Sequence, residues 1–90
     1  MHMKYVVNMS PKLNRVIQQM PRNAQLTLRN LIIDIAQTGP VQPKYHNYSK
    51  IGKVTYHCHL AYKWVACWRC EDGKYIVEVE YVGSREKAPY

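Results

Sequence analysis

Two histidines, His57 and His59, stand two residues apart in a stretch where apolar and polar residues alternate. On a β-strand this spacing places both imidazoles on one face, several ångströms apart. Histidine exchanges protons near neutral pH without help from its surroundings, so one ring could accept a proton while the other donates one. That is sufficient to cleave RNA, because the substrate supplies its own nucleophile, the 2′-hydroxyl. The alternative is a pair of surface histidines without a catalytic role.

The histidine pair lies in a part of the chain without acidic residues. No Asp or Glu occurs between Asp34 and Glu71, and the formal net charge of the chain is +7. A basic surface of this kind attracts polyanions such as RNA and DNA, and cations also stabilise a phosphate in a cleavage transition state. We therefore expect contact with nucleic acid or the ribosome; a solvated basic surface is the alternative. The basic side chains and further histidine of this window are Lys44, Lys50, Lys53, Lys63, Arg69 and His46.

Zinc-ligand residue types are present as well, but their spacing is unfavourable. On a strand Cys58 faces away from the histidines that flank it, and Cys67 and Cys70, three residues apart, face opposite sides. We therefore expect neither a metal nor another cofactor, and cysteines that pack as small hydrophobic residues. An odd number of cysteines, three, also argues against a disulfide framework.

Length and hydrophobicity restrict the class of protein further. A chain of 90 residues is enough for one domain, residues 1–90, and not for two. No apolar run approaches the roughly 20 residues of a membrane span, and the N-terminal region has no apolar stretch typical of a secretory signal. Together with the reduced thiols, this predicts a cytoplasmic protein that does not enter a membrane.

The first half of the chain predicts one strand and two helices. Residues 4–8 have the composition of a short strand. Ser10 is a suitable cap for a first helix, which begins with proline and ends at Pro21. A second amphipathic helix over residues 22–37 ends where Gly39 precedes a proline. Because almost no loop joins the two helices, we predict an antiparallel helical hairpin.

The second half predicts a sheet. Residues 39–50 have the composition of a loop, and strands are predicted over residues 53–60, 62–71 and 74–82, with an Asp-Gly turn between the last two. These three strands should form an antiparallel meander. The fold class is therefore α+β, with the helices on one sheet face and the histidines on the other, which would stay open to water.

The C-terminal residues could add to a site on that face. Arginine holds phosphate through two parallel hydrogen bonds, which makes Arg85 a candidate. A terminal tyrosine, Tyr90, can stack on a base or donate a proton. The tail has no regular pattern, however, and a disordered charged end is the default expectation for such a segment.

Taken together, these parts resemble the RelE/ParE superfamily of toxins from type II toxin–antitoxin systems. The resemblance covers essentially the whole chain and is strongest from Asn47 to Tyr90; the segments that carry it are NYSKIGK, YHCHL, WVACW and EVEYVGSREKAPY. They are closest to a RelE-type branch. The resemblance implies a RelE-like fold and a messenger RNA endonuclease that acts on the ribosome and inhibits translation. It also implies a metal-independent attack by the 2′-hydroxyl that leaves a 2′,3′-cyclic phosphate.

The resemblance also implies roles for individual residues. Two lysines of the family's strand motif fall on His57 and His59, and the following strand arginine falls on Lys63. The tail arginine and tyrosine of the family fall on Arg85 and Tyr90. These two histidines and two tail residues are the predicted catalytic set, and the predicted RNA- and phosphate-binding residues are Lys50, Lys53, Lys63 and Lys87.

The partners that the resemblance implies are messenger RNA, the ribosome and a cognate antitoxin. The antitoxin would cover the basic face, so the free toxin is expected to be a monomer that forms a hetero-oligomer with its antitoxin. Two alternatives stay open. One is a ParE-like inhibitor of DNA gyrase without nuclease activity, and the other is a non-catalytic nucleic-acid-binding module.

Overall fold

The computed structural model describes residues 3–90, so Met1 and His2 lie outside the described part. The first elements are strand β1, Val6–Met9, and helices α1, Leu13–Gln19, and α2, Arg22–Thr38. They are followed by strands β2 to β5, which span Ser49–Lys50, Thr55–Ala61, Trp64–Arg69 and Ile76–Ser84, and by a 3-10 turn, Arg85–Lys87. The predicted α+β fold is confirmed. No helix among residues 3–90 has both the length and the apolar character needed to cross a membrane.

The strands form one mixed sheet in the order β1-β5-β4-β3-β2. Strands β3, β4 and β5 form the antiparallel meander that the sequence predicts. The helices carry the chain back across the sheet, so β1 lies parallel to β5, with Val6 opposite Ile76. Strand β2 pairs with the outer edge of β3. It falls within residues 39–50, which were predicted to be a loop.

The two hairpins of the meander differ from the prediction. Tyr62 and Lys63 were predicted to begin a strand, but they form the turn between β3 and β4, which closes with Ala61 opposite Trp64. This turn leaves the Tyr62 side chain 92% exposed. Lys53 likewise precedes β3 rather than beginning it.

The Asp-Gly turn is present, but it is not a two-residue hairpin. The N–H of Lys74 donates to the carbonyl of Glu71 at 3.1 Å, and Gly73 adopts φ 77°. The pairing of β4 with β5 ends at Arg69 opposite Glu78, and Ile76 at the start of β5 pairs with β1 alone. As a result β5 begins later than predicted and continues to Ser84.

The first strand and the first helix also begin later than predicted. The N–H groups of Lys4 and Tyr5 both donate to the carbonyl of Ala36 at 2.9 Å, so the strand cannot start at residue 4. The Ser10 side chain accepts the N–H of Lys12 at 3.3 Å, in a turn that precedes α1.

The helices cover one face of the sheet, as predicted. The buried residues of α2 recur at spacings of three and four, which forms a single apolar stripe; they are Ala24, Leu28, Leu31 and Ile35. Opposite them lie alternate residues of β3 to β5, with Trp68 fully buried at the centre. The Trp68 indole N–H donates to the carbonyl of Pro40 at 2.9 Å, so burial leaves no unpaired donor.

The face away from the helices is not fully open, which corrects the prediction. Val65 and Cys67 of β4 point to this face, yet their exposures are only 0% and 1%. His57, their neighbour on β3, is also buried, at 8%. The C-terminal segment returns over this face and packs Tyr90 against His57. The tail therefore contributes to packing and is not the disordered end that its composition favours.

Gly39 provides a direct test of how α2 ends. Its φ of 99° strains any L side chain, and an added Cβ would lie 2.8 Å from Cζ of Tyr5. We expect Gly39→Ala to lower the free energy of unfolding by about 2 kcal/mol or more, from backbone strain and steric overlap together. Chemical denaturation measures the loss.

Two other glycines are matched controls for Gly39. Gly73 has φ 77° but no atom within 4 Å of an added Cβ. Gly73→Ala should therefore lower the free energy of unfolding through backbone strain alone, by about 1 kcal/mol. At Gly52 the nearest contact is an ordinary 3.7 Å, and Gly52→Ala should change stability by less than about 0.5 kcal/mol. Equal losses in all three variants would contradict the expected order.

Candidate active site

His57 and His59 lie on the same face of β3, as their spacing predicted. Their ring centroids are 6.0 Å apart, and Cys58 between them is fully buried towards the helices. In the register with β4, His57 lies opposite Cys67 and His59 opposite Val65. The sheet therefore holds the two imidazoles on one side, against an apolar floor.

The edge of the sheet beside β3 supplies a hydrogen-bonding partner for each histidine. Ser49 of β2 lies opposite His57, and its Oγ is 3.0 Å from Nδ1 of His57. The side-chain nitrogen of Asn47 is 3.5 Å from Nδ1 of His59. An amide that donates to Nδ1 keeps the proton of a neutral imidazole on Nε2. On His59 that proton is available for donation to a substrate. The Ser49 hydroxyl can accept as well as donate, which permits a His57 tautomer whose unprotonated Nε2 accepts a proton.

A third imidazole, His46, lies next to this pair. Its ring is edge-on to that of His59, with centroids 5.8 Å apart, and its carbonyl accepts the N–H of His59 at 2.8 Å. The sequence does not identify His46, Asn47 or Ser49 as site residues, because no periodicity marks the segment that contains them. The available signal was a further histidine in the window without acidic residues.

The C-terminal segment brings two more of the predicted residues to this face. The backbone N–H of Arg85 donates to the carbonyl of Lys63 at 2.6 Å, which fixes the start of the tail beside the β3–β4 turn. The Tyr90 ring then lies 4.3 Å from the ring of His57, at an interplanar angle of 52°. The Tyr90 side chain remains about half exposed, at 50%, so it can contact both the site and a bound molecule.

The surroundings of these groups set their protonation states. Burial lowers the pKa of His57, against a hydrogen bond with the backbone of Ser49 that favours the charged ring. Burial also lowers the pKa of His59, and the charges of His57, His46 and Arg85 lower it further. For Tyr90, burial raises the pKa of the phenol. Near neutral pH the site therefore presents neutral imidazoles that can accept a proton and a phenol that can donate a hydrogen bond.

The four predicted RNA-binding lysines are not all placed beside the histidines. By its register with Tyr56, Lys50 faces the helix side, and its Nζ lies 5.6 Å from the centre of the Tyr56 ring. Lys53 lies in the bend before β3. Lys63 and Lys87 are near the start of the tail instead, in the β3–β4 turn and in the 3-10 turn.

The cysteines are poorly suited to bind a metal. All three are free and buried, and burial raises the pKa of Cys58 and Cys67 to about 12. The thiolate, which is the metal-binding form, is therefore disfavoured. Among residues 3–90, no group of three or more His, Cys, Asp or Glu side chains could hold a metal ion.

No protein-family model and no curated protein matches this chain. Its fold, however, is similar to those of solved toxin structures. With the archaeal RelE–RelB complex from Pyrococcus horikoshii OT3 the TM-score is 0.72 at 14% identity, over 96% of this chain and 100% of that chain. With a mutant of the E. coli toxin RelE in the free state the TM-score is 0.69 at 14% identity, over 96% and 88%. With the E. coli DinJ–YafQ toxin–antitoxin complex it is 0.62 at 17% identity, over 97% and 99%. The chain therefore has a RelE-like fold.

The lowered pKa values of the two histidines predict how stability depends on pH. Below about pH 6.5 an unfolded histidine takes up a proton, while His57 and His59 in the folded protein resist protonation. The free energy of unfolding should therefore fall as the pH is lowered from 7 to 5. Urea unfolding across this range should show that decline in the wild type and a shallower one in His57→Gln and His59→Gln.

The unfolding measurements stop at pH 5 because carboxylates take up most of their protons at lower pH. The hydrogen bond from Tyr45 lowers the pKa of Asp34, so this group loses its stabilising charge only in more acidic solution. If both glutamine variants keep the full wild-type decline between pH 7 and 5, the two imidazoles are not the groups whose protonation destabilises the fold.

Proposed function

We propose that this chain, whose fold is RelE-like, is the toxin of a type II toxin–antitoxin system that cleaves messenger RNA on the ribosome and so inhibits translation. The observation that carries the proposal is the arrangement of His57, His59 and Tyr90 on one sheet face, with Arg85 close enough to His59 to lower its pKa. This face lies in a chain of net charge +7. Binding alone, to gyrase or to nucleic acid, would not require a pair of proton-exchanging groups with oriented rings.

The reaction that suits these groups is an internal transfer of the phosphate. One neutral imidazole accepts the proton of the 2′-hydroxyl, and that oxygen attacks the adjacent phosphorus. The bond from phosphorus to the 5′-oxygen breaks, and a protonated imidazole donates its proton to the departing oxygen. The products are a 2′,3′-cyclic phosphate and a free 5′-hydroxyl. Because the nucleophile comes from RNA, the reaction needs no metal.

The surroundings of the two histidines favour different roles. His57 is buried at 8%, and burial is the main cause of its lowered pKa, so it stays neutral and suits the general base. His59 lies within electrostatic reach of His46 and Arg85. A phosphate bound beside the Arg85 guanidinium would offset its repulsion and raise the pKa of His59. His59 is therefore assigned as the general acid.

Arg85 and Tyr90 are assigned to substrate binding, and neither exchanges a proton with the 2′-hydroxyl or the departing 5′-oxygen. The Arg85 guanidinium is the group best suited to hold the scissile phosphate, because its fork matches two phosphate oxygens. Burial raises the pKa of Tyr90, which makes its phenol a poor base. The exposed half of its ring is available to stack on a nucleobase.

Two partners follow from the same features. A shallow site on a sheet face orients a flexible RNA poorly, and the ribosome would supply the geometry that the protein lacks. The net charge of +7 also favours an antitoxin with an acidic segment that folds onto the basic surface. RNA and antitoxin would then compete for one surface.

The function is tested by inducing the protein in bacteria and mapping the 5′ ends of cellular transcripts. We expect new ends with codon periodicity in translated RNA. Variants His57→Ala and His59→Ala should each cleave about 10²–10⁴-fold more slowly, with circular dichroism and thermal melting close to those of the wild type.

Lys74→Ala, a variant in the exposed turn before β5, is the control for expression and charge and should cleave like the wild type. Intact transcripts with a DNA-damage response would indicate a gyrase inhibitor instead. Intact transcripts with normal growth would indicate a passive binder, and either result would refute the proposal.

Tyr90 separates the role of the ring from that of the hydroxyl. Because the ring packs on His57 and the phenol is a poor base, Tyr90→Phe should keep most of the cleavage rate. Tyr90→Ala should lose at least about tenfold, since stacking on an aromatic ring is worth about 1–3 kcal/mol per base. Cleavage rates on programmed ribosomes, together with thermal melts, distinguish these outcomes. An alanine variant as active as the wild type would remove Tyr90 from the site.

A further inference from the structure

A groove lies beside the tail, outside the histidine face. It is formed between α1 and the adjacent ends of β4 and β5, and its volume is about 410 Å³. Val16 and Gln19 line it from the helix side, and Trp64, Ser84 and Lys87 line it from the sheet and the 3-10 turn. We refer to it as the Trp64 groove.

The groove combines an aromatic platform with two cations. The Trp64 indole is only partly buried, so part of its ring is free for a ligand. The ammonium of Lys63 lies 5.7 Å from the centre of that ring, and Lys87 lines the groove itself. No Asp or Glu lines it. Aromatic rings with flanking cations bind single-stranded nucleic acid, because every base can stack and every nucleotide carries a phosphate.

We propose that the Trp64 groove binds one nucleotide of single-stranded RNA, with its base stacked on the Trp64 indole and its phosphate held by Lys63 and Lys87. The inference deepens the proposed function and rests on it for the identity of the RNA as substrate. The groove also adjoins the histidine face, because the N–H of Arg85 binds the carbonyl of Lys63 at 2.6 Å. A strand whose scissile phosphate lies at Arg85 can therefore place a neighbouring nucleotide in the groove.

Tryptophan fluorescence tests the stacking directly. The chain has two tryptophans, and Trp68 is fully buried, so a base in the groove quenches the emission of Trp64. The probe is a short single-stranded RNA with 2′-O-methyl riboses, which cannot be cleaved by 2′-hydroxyl attack. The matched probe has the same backbone without bases. We expect saturable quenching by the first and little by the second; equal quenching by both would overturn the proposal.

Two variants distinguish the contribution of the Trp64 ring to RNA binding from that of the Lys87 charge. Trp64→Leu should weaken binding of the base-containing probe, measured by fluorescence anisotropy, by about tenfold or more. Lys87→Ala keeps the indole and should lower the slope of log affinity against log salt by about 0.7, the value for one phosphate contact in a single strand. Lys74→Ala removes an equal charge at the opposite end of β5 and should leave both properties unchanged.

Lys87 is exposed, so we expect Lys87→Ala to fold, and this variant tests the proposal even if Trp64→Leu does not fold. A Lys87→Ala slope equal to that of Lys74→Ala would overturn the proposal. These measurements use the free protein, so they are independent of cleavage on the ribosome. Base-dependent quenching without transcript cleavage in cells would refute the proposed function and leave the groove as an RNA-binding site. Transcript cleavage with unchanged binding in Trp64→Leu and Lys87→Ala would refute the groove alone.

Discussion

Strand β3 must bury Tyr56, Cys58 and Leu60 against the helices, and the position of the candidate site depends on that constraint. Side chains alternate along a strand, so burying these three places His57 and His59 on the other face. A slip of one residue would put both imidazoles into the core and the apolar residues into water. The packing of α2 therefore fixes the register of the catalytic candidates without touching them.

The histidine face is protected by the end of the chain. Val65 and Cys67 of β4 lie on this face and are almost fully buried. Tyr90 covers part of this face and contacts His57, and the resulting burial lowers the pKa of His57. Packing of the tail and tuning of the histidine are thus parts of one arrangement. A small domain, which buries a limited fraction of its surface, uses its last residues for both purposes.

The long elements could be predicted from the sequence because their patterns are local. The helix α2 has an apolar stripe and a glycine at its end, and β3 to β5 show clear alternation or turn residues. Strand β2 has two residues, too few for a period, so it could not be recognised. The boundaries of β5 depend on its pairing with β1, which no local pattern records.

The shared face of the two candidate histidines could be predicted from the sequence, and the contacts around them could not. The spacing of His57 and His59 was informative, whereas the contacts of Ser49 and Asn47 arise from long-range pairing of β2 with β3. The same pairing turns Lys50, which was predicted to bind RNA, towards Tyr56 and away from the histidines. The tail has no period at all, and its position follows from long-range contacts of Tyr90 with His57 and of Arg85 with Lys63.

The most direct test of the two-histidine chemistry is the pH dependence of single-turnover messenger RNA cleavage on programmed ribosomes. For the wild type we predict a bell-shaped profile, with the low-pH limb lost in His57→Ala and the high-pH limb lost in His59→Ala. A bell that keeps both limbs in either variant would contradict the two-histidine chemistry.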